Sequence, residues 1–545
     1  MALTPASMNT IPPEIVEKIV VSATIDIRGE QARMKVLLRM THISKTIQEI
    51  MIWKRNLWNC IATDHPALAA LFLERAAQPG VRIVIRKPVD EQRMSDFFDV
   101  LERYSQVIAS LHMVIPGALW ERFCKKRVPE MWHMTDLERA ELERAELWHE
   151  DGNSEYTIPP TVIMPFVAPA LKDLVLFRIP IRGAQPLMSA AIEDLILADN
   201  PEAAAEDVWM ALTATPNLKH LSIQTTVVDG TTRRDLDLPQ LKSLNVRITN
   251  QATAEVFAHL VHSANTRVHL NIISKDLEEI RGIIDIIGPK INAIAAEANY
   301  TACALCHHNI PSTTVALSQP SAGDTSTDRE EDEETRPRLE LRVDLYPEEQ
   351  EALLYGALAE ALLPALKRIV ILEIRDMWLY NQPGYYPMRH LMGPFPTRLI
   401  RRKKRNWAEP QETWYWVLAC PYLRQMELFY VRFRKTLKRH NEDDFVDLLL
   451  RSIQYSQSGM EKINLTMEYP VNLDERDVAD LEKAIACDFY QAGPTREEDG
   501  GNTEDDTVEI FGERQTARLE EDDEAGEGVL NENDGEDENT VEDPL

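Results

Sequence analysis

One short segment of the sequence combines thiols and imidazoles at a spacing that is used for cofactor attachment. Cys303, Cys306 and His307 form the CxxCH pattern that attaches haem covalently, and His308 adds a potential fourth metal ligand. Haem attachment needs an export or mitochondrial context, and the N-terminus lacks the basic start and apolar core of a signal peptide. A zinc site would need more distant ligands, because four adjacent side chains cannot easily form one tetrahedron. We therefore expect this segment to hold neither a cofactor nor a metal.

A second segment with chemical potential is the basic run Arg401–Arg405, which is followed by Trp407. Such runs serve as nuclear-import signals or as contacts for acidic partners. The alternative is a solvated loop that folds back toward the acidic end of the chain. Elsewhere the sequence has no phosphate-binding glycine loop, no nucleophile elbow and no HExxH motif. The scattered histidines and carboxylates form no catalytic constellation, so the sequence predicts a binding protein rather than an enzyme.

The charge of the chain is concentrated at its C-terminal end. The formal net charge is −30, and residues 497–545 hold 21 acidic and 2 basic side chains, a net charge of −19. This tail has one aromatic residue, Phe511, and no periodic apolar residues, so burial cannot offset the entropy of ordering it. We predict that residues 493–545 are disordered. The acidic balance also argues against nucleic acid as a partner.

Cysteine usage and hydropathy indicate the compartment. The six cysteines are scattered, which is not a disulfide framework and favours a reducing environment. The most apolar stretch, residues 158–171, contains four prolines and cannot form a spanning helix. We expect no membrane partner and a cytoplasmic or nuclear location, or both.

The first unit, residues 1–62, is predicted to contain three short helices. Pro12, Pro13 and Glu14 suit a first helical turn. Apolar residues then recur at helical spacing in three groups: Ile11, Ile15 and Ile19; Met34, Leu37 and Leu38; and Ile43, Ile47, Ile50 and Met51. Three helices in about fifty residues cannot enclose much core, so they need a partner or the following domain.

Residues 63–492 follow a different rhythm, in which an apolar residue precedes a short alternating strand by three positions. The clearest copies are evenly spaced, and less regular copies precede and follow them. The triplets are Leu171, Leu174, Leu176; Ile192, Leu195, Leu197; Leu218, Leu221, Ile223; Leu241, Leu244, Val246; and, less regularly, Ile108, Leu111, Met113; Leu366, Ile369, Ile371; Leu423, Met426, Leu428; Met460, Ile463, Leu465. Such triplets also arise by chance in α/β proteins, but several copies share a preceding proline. The spacing of the clearest copies falls within the period of about 20–29 residues that leucine-rich repeats have, which favours a leucine-rich-repeat-like α/β array.

Three segments interrupt this predicted array. Residues 137–147 contain a doubled LERAE whose leucines lie five apart, and we predict a charged, projecting helix there. Residues 318–337 are rich in Ser, Thr, Pro and acids and are predicted to form a disordered insert. Residues 377–406 contain many prolines and glycines, which predicts an irregular loop.

The N-terminal unit resembles the F-box. The F-box pattern opens with Leu-Pro-x-Glu-Ile, and here residues 11–15 read IPPEI; it closes about forty residues later with a Leu-Trp pair, here Leu57 and Trp58. Family members commonly have an aromatic residue where Ile47 stands. The whole layout is similar to the large F-box families of mushroom-forming fungi. It implies an α/β protein with a three-helix F-box, an irregular leucine-rich-repeat-like solenoid and a disordered acidic tail.

The resemblance also implies a function and a set of binding residues. F-box helices bind the Skp-type adaptor of a cullin-based SCF ubiquitin ligase, while the repeat domain selects a protein substrate, whose identity is unknown. The expected adaptor-binding residues are Pro12, Pro13, Glu14, Ile15, Ile19, Leu37, Leu38 and Trp58. Trp58 could instead fill the junction between the F-box and the first repeat. The alternative function is an interaction scaffold with a degenerate F-box and no ubiquitin-ligase role.

Overall fold

The computed structural model describes most of the chain up to residue 375 and separate segments beyond it. The described residues are 30–63, 65–76, 80–85, 91–116, 131–145, 163–201, 203–229, 234–308, 312–319, 338–345, 351–375, 394–399, 413–418, 422–429, 464–468 and 489–492, with positions 12, 14, 15, 18, 19, 22, 121, 124, 420, 476, 478, 479 and 481. The acidic tail, the basic run Arg401–Arg405 and nearly all of the acidic insert lie outside these residues. The predictions made for those segments stay predictions.

The protein is a mixed α/β protein. Its helices are α1 (Glu30–Met40), α2 (Lys45–Trp53), α3 (Pro66–Ala76), α4 (Glu91–Arg103), α5 (Ala205–Ala214), α6 (Gln251–His259), α7 (Leu277–Glu297), α8 (Glu351–Ala361) and α9 (Leu363–Leu366), with 3-10 turns at Arg55–Trp58 and Arg182–Leu187. Its strands are β1 (Cys60–Ala62), β2 (Val81–Ile85), β3 (Ile108–Pro116), β4 (Trp132–His133), β5 (Arg139–Ala145), β6 (Phe166–Val167), β7 (Asp173–Phe177), β8 (Asp194–Ala198), β9 (Ala203–Ala204), β10 (His220–Gln224), β11 (Val227–Asp229), β12 (Leu236–Leu238), β13 (Ser243–Ile248), β14 (Leu260–His262), β15 (Arg267–Ser274), β16 (Ala302–His308), β17 (Ser312–Ser318), β18 (Arg338–Leu345), β19 (Ile371–Arg375), β20 (Pro394–Leu399), β21 (Thr413–Leu418), β22 (Gln425–Phe429), β23 (Asn464–Glu468) and β24 (Phe489–Ala492). None of the described helices is both long and apolar enough to cross a membrane.

Sixteen of these strands form one sheet, in the order β1-β2-β3-β5-β7-β8-β10-β13-β15-β18-β17-β16-β19-β22-β23-β24. From β1 to β15 each strand pairs in parallel with the preceding strand of the sheet. The five sheet strands from β7 to β15 start at Asp173, Asp194, His220, Ser243 and Arg267, which are almost evenly spaced along the chain. We call these five strands the regular run.

Two rows of apolar side chains cross the sheet on one face, because every second residue of a strand points to the same side. The first ladder is Ile61, Ile83, Leu111, Ala140, Leu174, Leu195, Leu221, Leu244, Val268, Leu339, Leu317, Cys303, Leu372, Met426 and Leu465. The second ladder is Ile85, Met113, Leu142, Leu176, Leu197, Ile223, Val246, Leu270, Leu341, Val315, Leu305, Ile374, Leu428 and Met467. All of them are buried in one continuous core that also contains the inner face of α7. Burying one such leucine contributes about 1.5–3 kcal/mol.

The chain reverses its order once within the sheet. From β15 it passes through α7 to β16, which lies three positions further along the sheet, and then returns through β17 to β18 beside β15. β17 is antiparallel to both of its neighbours, whereas β18 is parallel to β15 and β16 is parallel to β19. We call β16, β17 and β18 the reversed unit.

Asn292 on α7 holds the connections on either side of the reversed unit together. Its Nδ2 donates to the Ala361 carbonyl at 2.8 Å, and its Oδ1 accepts from the Ala365 amide at 3.1 Å. At Gly288, one turn earlier on α7, an added Cβ would lie 3.4 Å from the Ala361 Cβ, so the two helices approach closely there. The helices that precede and follow the reversed unit therefore pack directly on each other.

The predicted helix over residues 137–147 is wrong, because residues 139–145 form β5 in the main sheet. Ala140 and Leu142 alternate with charged residues and fill the two ladders, and both are buried. The period of two therefore outweighs the helical propensity of the segment. In the segment predicted to be irregular, residues 394–399 form β20, which pairs with β21.

Two predicted triplets are displaced from the observed register. Ile371 lies off the ladders, which use Leu372 and Ile374 instead. Near the C-terminal end, Leu465 is the third residue of its predicted triplet, a position that fills the second ladder in the regular copies. In the structure Leu465 lies in the first ladder, and Met467 lies in the second ladder. Consecutive apolar residues at these places make the register ambiguous in the sequence.

Candidate functional site

The predicted adaptor-binding residues divide into an exposed set and a buried set. The described residues between 14 and 22 have helical backbone, and the Ile15 amide donates to the Pro12 carbonyl at 2.9 Å. Pro12 and Glu14 are exposed, as are Ile15 (46%) and Ile19 (54%), while Pro13 lies outside the described residues. These exposed isoleucines offer apolar surface to a partner.

Leu37 and Trp58 offer no such surface, and Leu38 is only half-buried. Trp58 donates from Nε1 to the Met51 carbonyl at 2.9 Å and stacks on Phe72 of α3, with ring centroids 5.0 Å apart. Arg75 lies over the indole at 5.1 Å from its centroid. The indole thus fills the junction between the helical unit and the sheet domain. Of the predicted adaptor-binding residues that the structure describes, Leu37 and Trp58 are the two whose side chains are buried.

Ile47 is the residue that the resemblance to the F-box aligns with a common aromatic position. It lies in the first turn of α2, where its amide donates to Oγ of the Ser44 cap at 3.1 Å, and its side chain is 4% exposed. Ile43, which the helical spacing assigns to the same helix, precedes the cap and is 57% exposed. Ile47 therefore belongs to the interior of the helical unit and not to its surface.

The cysteines of the CxxCH segment lie on β16 and point to opposite faces of the sheet. Cys303 occupies a position in the first ladder, whereas Cys306 is three residues away on the other face. Burial raises the pKa of the Cys303 thiol, and burial likewise raises the pKa of Cys420 to about 12. A protonated, buried thiol is a poor ligand. Within the described part of the chain, no three His, Cys, Asp or Glu side chains are arranged to hold a metal ion.

The face opposite the ladders, which we call the open face, is the largest candidate binding surface. Along β7, β13 and β15 buried ladder residues alternate with partly exposed ones. A parallel sheet that is covered on both faces would read as a continuous apolar run. The alternation indicates that helices cover one face of these strands. The open face is not equally accessible everywhere, because Ser312, Thr314 and Ala316 of β17 are buried.

A histidine, a glutamate and an arginine form a cluster on β3 and β5 of the open face. His112 lies opposite Glu141, with Nδ1 and Oε2 2.5 Å apart, and Arg139 Nε donates to the other carboxylate oxygen at 2.8 Å. The hydrogen bond from His112 and the charge of Arg139 lower the pKa of Glu141 to about 2. This carboxylate is therefore charged at neutral pH and fixed in position.

The regular run carries a row of polar residues across the open face, one on each of four strands. Asp173 lies opposite Asp194, which lies opposite His220, which lies opposite Ser243. Burial, together with the hydrogen bond and the negative charge of Asp194, raises the pKa of Asp173 to about 6. Like charges directly opposite each other on neighbouring strands are destabilising. Asp173 is therefore protonated below that pH and can donate to Asp194, and above that pH its charge is repelled by Asp194.

The end of this row has the residue types of a hydrolytic triad but not its geometry. The His220 Nδ1 atom and the Ser243 Oγ atom are 2.7 Å apart, a hydrogen-bonding distance. The Asp194 carboxylate lies 3.8 Å from His220 Nε2, which is too long for a hydrogen bond, and the His220 side chain is half exposed. The row therefore does not hold the imidazole as a general base.

A second histidine and glutamate pair joins the regular run to the reversed unit. His269 on β15 lies opposite Glu340 on β18, with Nδ1 and Oε1 3.6 Å apart, and Arg338 lies 3.7 Å from the same carboxylate. His269, followed by the arginines around it, lowers the pKa of Glu340 to about 2. Both clusters share one signal in the sequence, an Arg-x-Glu pair that alternates with ladder residues. That signal indicates a strand with a polar face but not which strands are neighbours.

No model of a known protein family matches this chain, and a search of curated proteins found no match.

Proposed function

We propose that the protein is a substrate-recognition subunit of an SCF-type ubiquitin ligase. In this proposal the N-terminal helical unit is an F-box that binds a Skp-type adaptor and, through it, a cullin. The sheet domain is a leucine-rich-repeat-like solenoid that binds a protein substrate on its open face. The observation that carries the proposal is the exposure of Ile15 and Ile19, on the helical residues ahead of the buried part of that unit.

The architecture supports this division of labour. The strands of the regular run follow one another in sequence order, and their spacing falls within the period of about 20–29 residues that is typical of leucine-rich repeats. Such arrays present one long surface built from strand faces. Here that surface carries charges, including the carboxylates of Glu141 and Glu340, whose pKa values are both lowered to about 2. Such charges favour recognition of one class of protein over another.

A binding experiment on the exposed isoleucines tests the proposal. In the double variant Ile15→Asp, Ile19→Asp, two carboxylates replace apolar contacts, and desolvating each should cost several kcal/mol. Adaptor affinity should fall by orders of magnitude, since about 1.4 kcal/mol corresponds to tenfold. The matched control is Ile163→Asp, because Ile163 is similarly exposed (44%) but belongs to the sheet domain. This control should bind the adaptor as the wild type does.

The proposal fails if the wild-type protein does not capture the adaptor under conditions in which a known F-box protein does. It also fails if the control variant loses as much binding as the double variant, because the effect would then not be local to the helical unit.

The burial of Leu37 and Trp58 favours a second candidate, an interaction scaffold. Both side chains belong to the core that is continuous with the sheet, so the helical unit also acts as a cap on the β1 edge. A scaffold would bind its protein ligand on the open face and would not bind the adaptor. The same adaptor experiment separates the two candidates.

A further inference from the structure

Four arginines lie together on the open face where the regular run meets the reversed unit. They are Arg247 on β13, Arg267 on β15, and Arg338 and Arg342 on β18, and we call them the arginine grid. Arg247 and Arg342 lie on either side of Asn271 in the strand register. With strands about 4.8 Å apart and about 3.3 Å per residue, the grid covers roughly 10 Å by 13 Å. An extended peptide segment of about four residues spans that distance.

The guanidinium groups of the grid keep donors available. Arg247 lies 3.7 Å from Asp199 and Arg338 lies 3.7 Å from Glu340, distances beyond those of a good hydrogen bond. Their side chains are 43% and 38% exposed. Among the described residues the guanidinium of Arg267 has no hydrogen bond or ion pair and acts on Glu340 only through space. Arg342 is the exception, because its Nε donates to Asp344 at 3.0 Å. A guanidinium has five donors, so this internal pairing still leaves most donors of the grid for a ligand.

The grid is positive within a strongly acidic protein. Its four arginines exceed the carboxylates paired with them, which are Asp199, Glu340 and Asp344. His269 lies among them and adds positive charge when it is protonated. The formal net charge of the whole chain is −30, so this local excess runs against the average field. A positive patch on an open sheet face is complementary to an acidic ligand.

We infer that the arginine grid is the part of the open face that binds substrate, and that it takes an acidic, extended segment of a protein through the carboxylates of that segment. Guanidinium and carboxylate groups match as planar, two-point pairs, which a flexible surface lysine does not provide. The inference rests on the proposed function, because it states the chemistry of the substrate that the proposed receptor selects.

The surroundings of the grid favour a protein segment over nucleic acid. Asp173 and Asp194 lie on the same face on one side, and Glu373 and Glu427 lie on the strands beyond the reversed unit. A phosphate backbone that crossed the sheet would meet both of these acidic zones. A protein segment places its acids only where they are needed.

A peptide-binding measurement on the full chain tests the inference. The probe is a fluorescein-labelled peptide with glutamates at every second position, and its control is the same peptide with glutamines. The double variant Arg267→Gln, Arg338→Gln should weaken glutamate-peptide binding at least about tenfold, measured by fluorescence anisotropy. The matched control is Lys172→Gln, Lys219→Gln, which removes two charges from the starts of β7 and β10. It should change the affinity by no more than about twofold.

Further measurements decide the matter. Arg267→Lys keeps the charge but not the two-point pairing, so it should bind the glutamate peptide more weakly than the wild type and more tightly than Arg267→Gln. Unchanged circular dichroism melting shows that the variants are folded. Equal weakening by both double variants, or equal binding of the glutamine peptide, overturns the inference. Tighter binding of a single-stranded oligonucleotide than of the glutamate peptide also overturns it.

The outcome is separable from that of the proposed function. Adaptor capture depends on Ile15 and Ile19, and peptide binding depends on the grid. If the protein binds the glutamate peptide but does not capture the adaptor, it is the scaffold alternative with an acidic ligand. The reverse result leaves an F-box receptor that selects its substrate elsewhere.

Discussion

The regular run and the reversed unit build the same two ladders with different chain orders. In the regular run, each strand lies beside the one before it in sequence, and Leu174, Leu195 and Leu221 follow one another across the sheet. In the reversed unit, the spatial order is opposite to the sequence order, yet Leu339 and Leu317 continue the same ladder.

The difference teaches that the ladders depend on which face a residue points to and not on chain direction. β17 runs antiparallel to its neighbours and still places Val315 and Leu317 in the core. The connections differ more than the ladders do. In the regular run, the chain passes from one strand to its neighbour within about one repeat. Around the reversed unit, Asn292 instead bonds to residues that are 69 and 73 positions away in the sequence.

The largest losses of stability are expected from substitutions that open a cavity in either ladder. Leu197→Ala in the regular run and Leu317→Ala in the reversed unit remove side chains that are fully buried, and each should lower the free energy of unfolding by about 2–5 kcal/mol. Urea denaturation measures both. Ile196→Ala is the control on the other face of β8, where the side chain is 37% exposed, and should cost about 0.5 kcal/mol. A cost for Leu317→Ala as small as that of the control would mean that the reversed unit is not part of the common core.

Intermediate effects are expected from the two asparagines that hold the connections. Asn200 is buried and donates from Nδ2 to the carbonyls of Leu176 and Ile179, at 3.1 and 2.8 Å. Asn200→Ala and Asn292→Ala each leave backbone groups without a partner, which costs about 1–3 kcal/mol. We expect the lower value for the half-buried Asn292.

Hydrogen exchange then distinguishes the two asparagines. Asn292→Ala should speed amide exchange in α8 and α9, while Asn200→Ala should speed it near β7 and β8. If both variants change exchange in the same segments, the two regions do not differ in how their connections are held.

The smallest changes in stability are expected from carboxylates on the open face. Removing the charge should stabilise the protein in the regular run and destabilise it in the reversed unit. The pKa of Asp173 is raised from 3.8 to about 6, so the folded protein binds the extra proton between those values and its stability falls as the pH rises through them. Asp173→Asn removes this loss and should stabilise the protein at pH 7 by about 0.2–1 kcal/mol. The gain should vanish below about pH 4, where the carboxyl is protonated in both the folded and unfolded states.

Glu340 on the reversed unit should behave in the opposite way. Its pKa is lowered from 4.5 to about 2, so it contributes stability above its unfolded value, and that contribution is lost as the pH falls toward 2. Glu340→Gln should therefore destabilise the protein at pH 7. Thermal melts of the two variants from about pH 3 to about pH 7 measure the change in stability relative to the wild type. If both variants were stabilised at pH 7, or both destabilised, repulsion at Asp173 and attraction at Glu340 could not both be correct.

The strands of the regular run could be predicted from the sequence because their ladder residues are mostly leucines at a steady period. β5 could not be found in this way, since the smaller Ala140 replaces a leucine and the charged positions suggest a helix. β16 was also missed, because Cys303 in a leucine position makes the segment resemble a ligand motif. Period-two patterning is present in both segments and would have found them.

The arginine grid and the carboxylate row could not be predicted in the same way. Arg267 and Arg342 are distant in the sequence and lie on neighbouring strands only because β18, and not the next strand in the chain, pairs with β15. Sequence patterns show which face a residue occupies but not the order of the strands. The N-terminal unit shows the converse: Leu37 lies on a helix, as its spacing predicts, but the burial of Leu37 and Trp58 depends on packing against β1 and α3.

The number of strands in the reversed unit limits how this fold can grow. Three antiparallel strands present two outer edges that run in the same direction, so β19 can continue in parallel as if the sheet had never been interrupted. A simple two-stranded hairpin at the same place would present opposite edges, and every later strand would have to turn around. Insertions in such a sheet are therefore subject to a parity rule. An odd number of consecutive antiparallel strands leaves the direction of all later strands unchanged, and an even number reverses it.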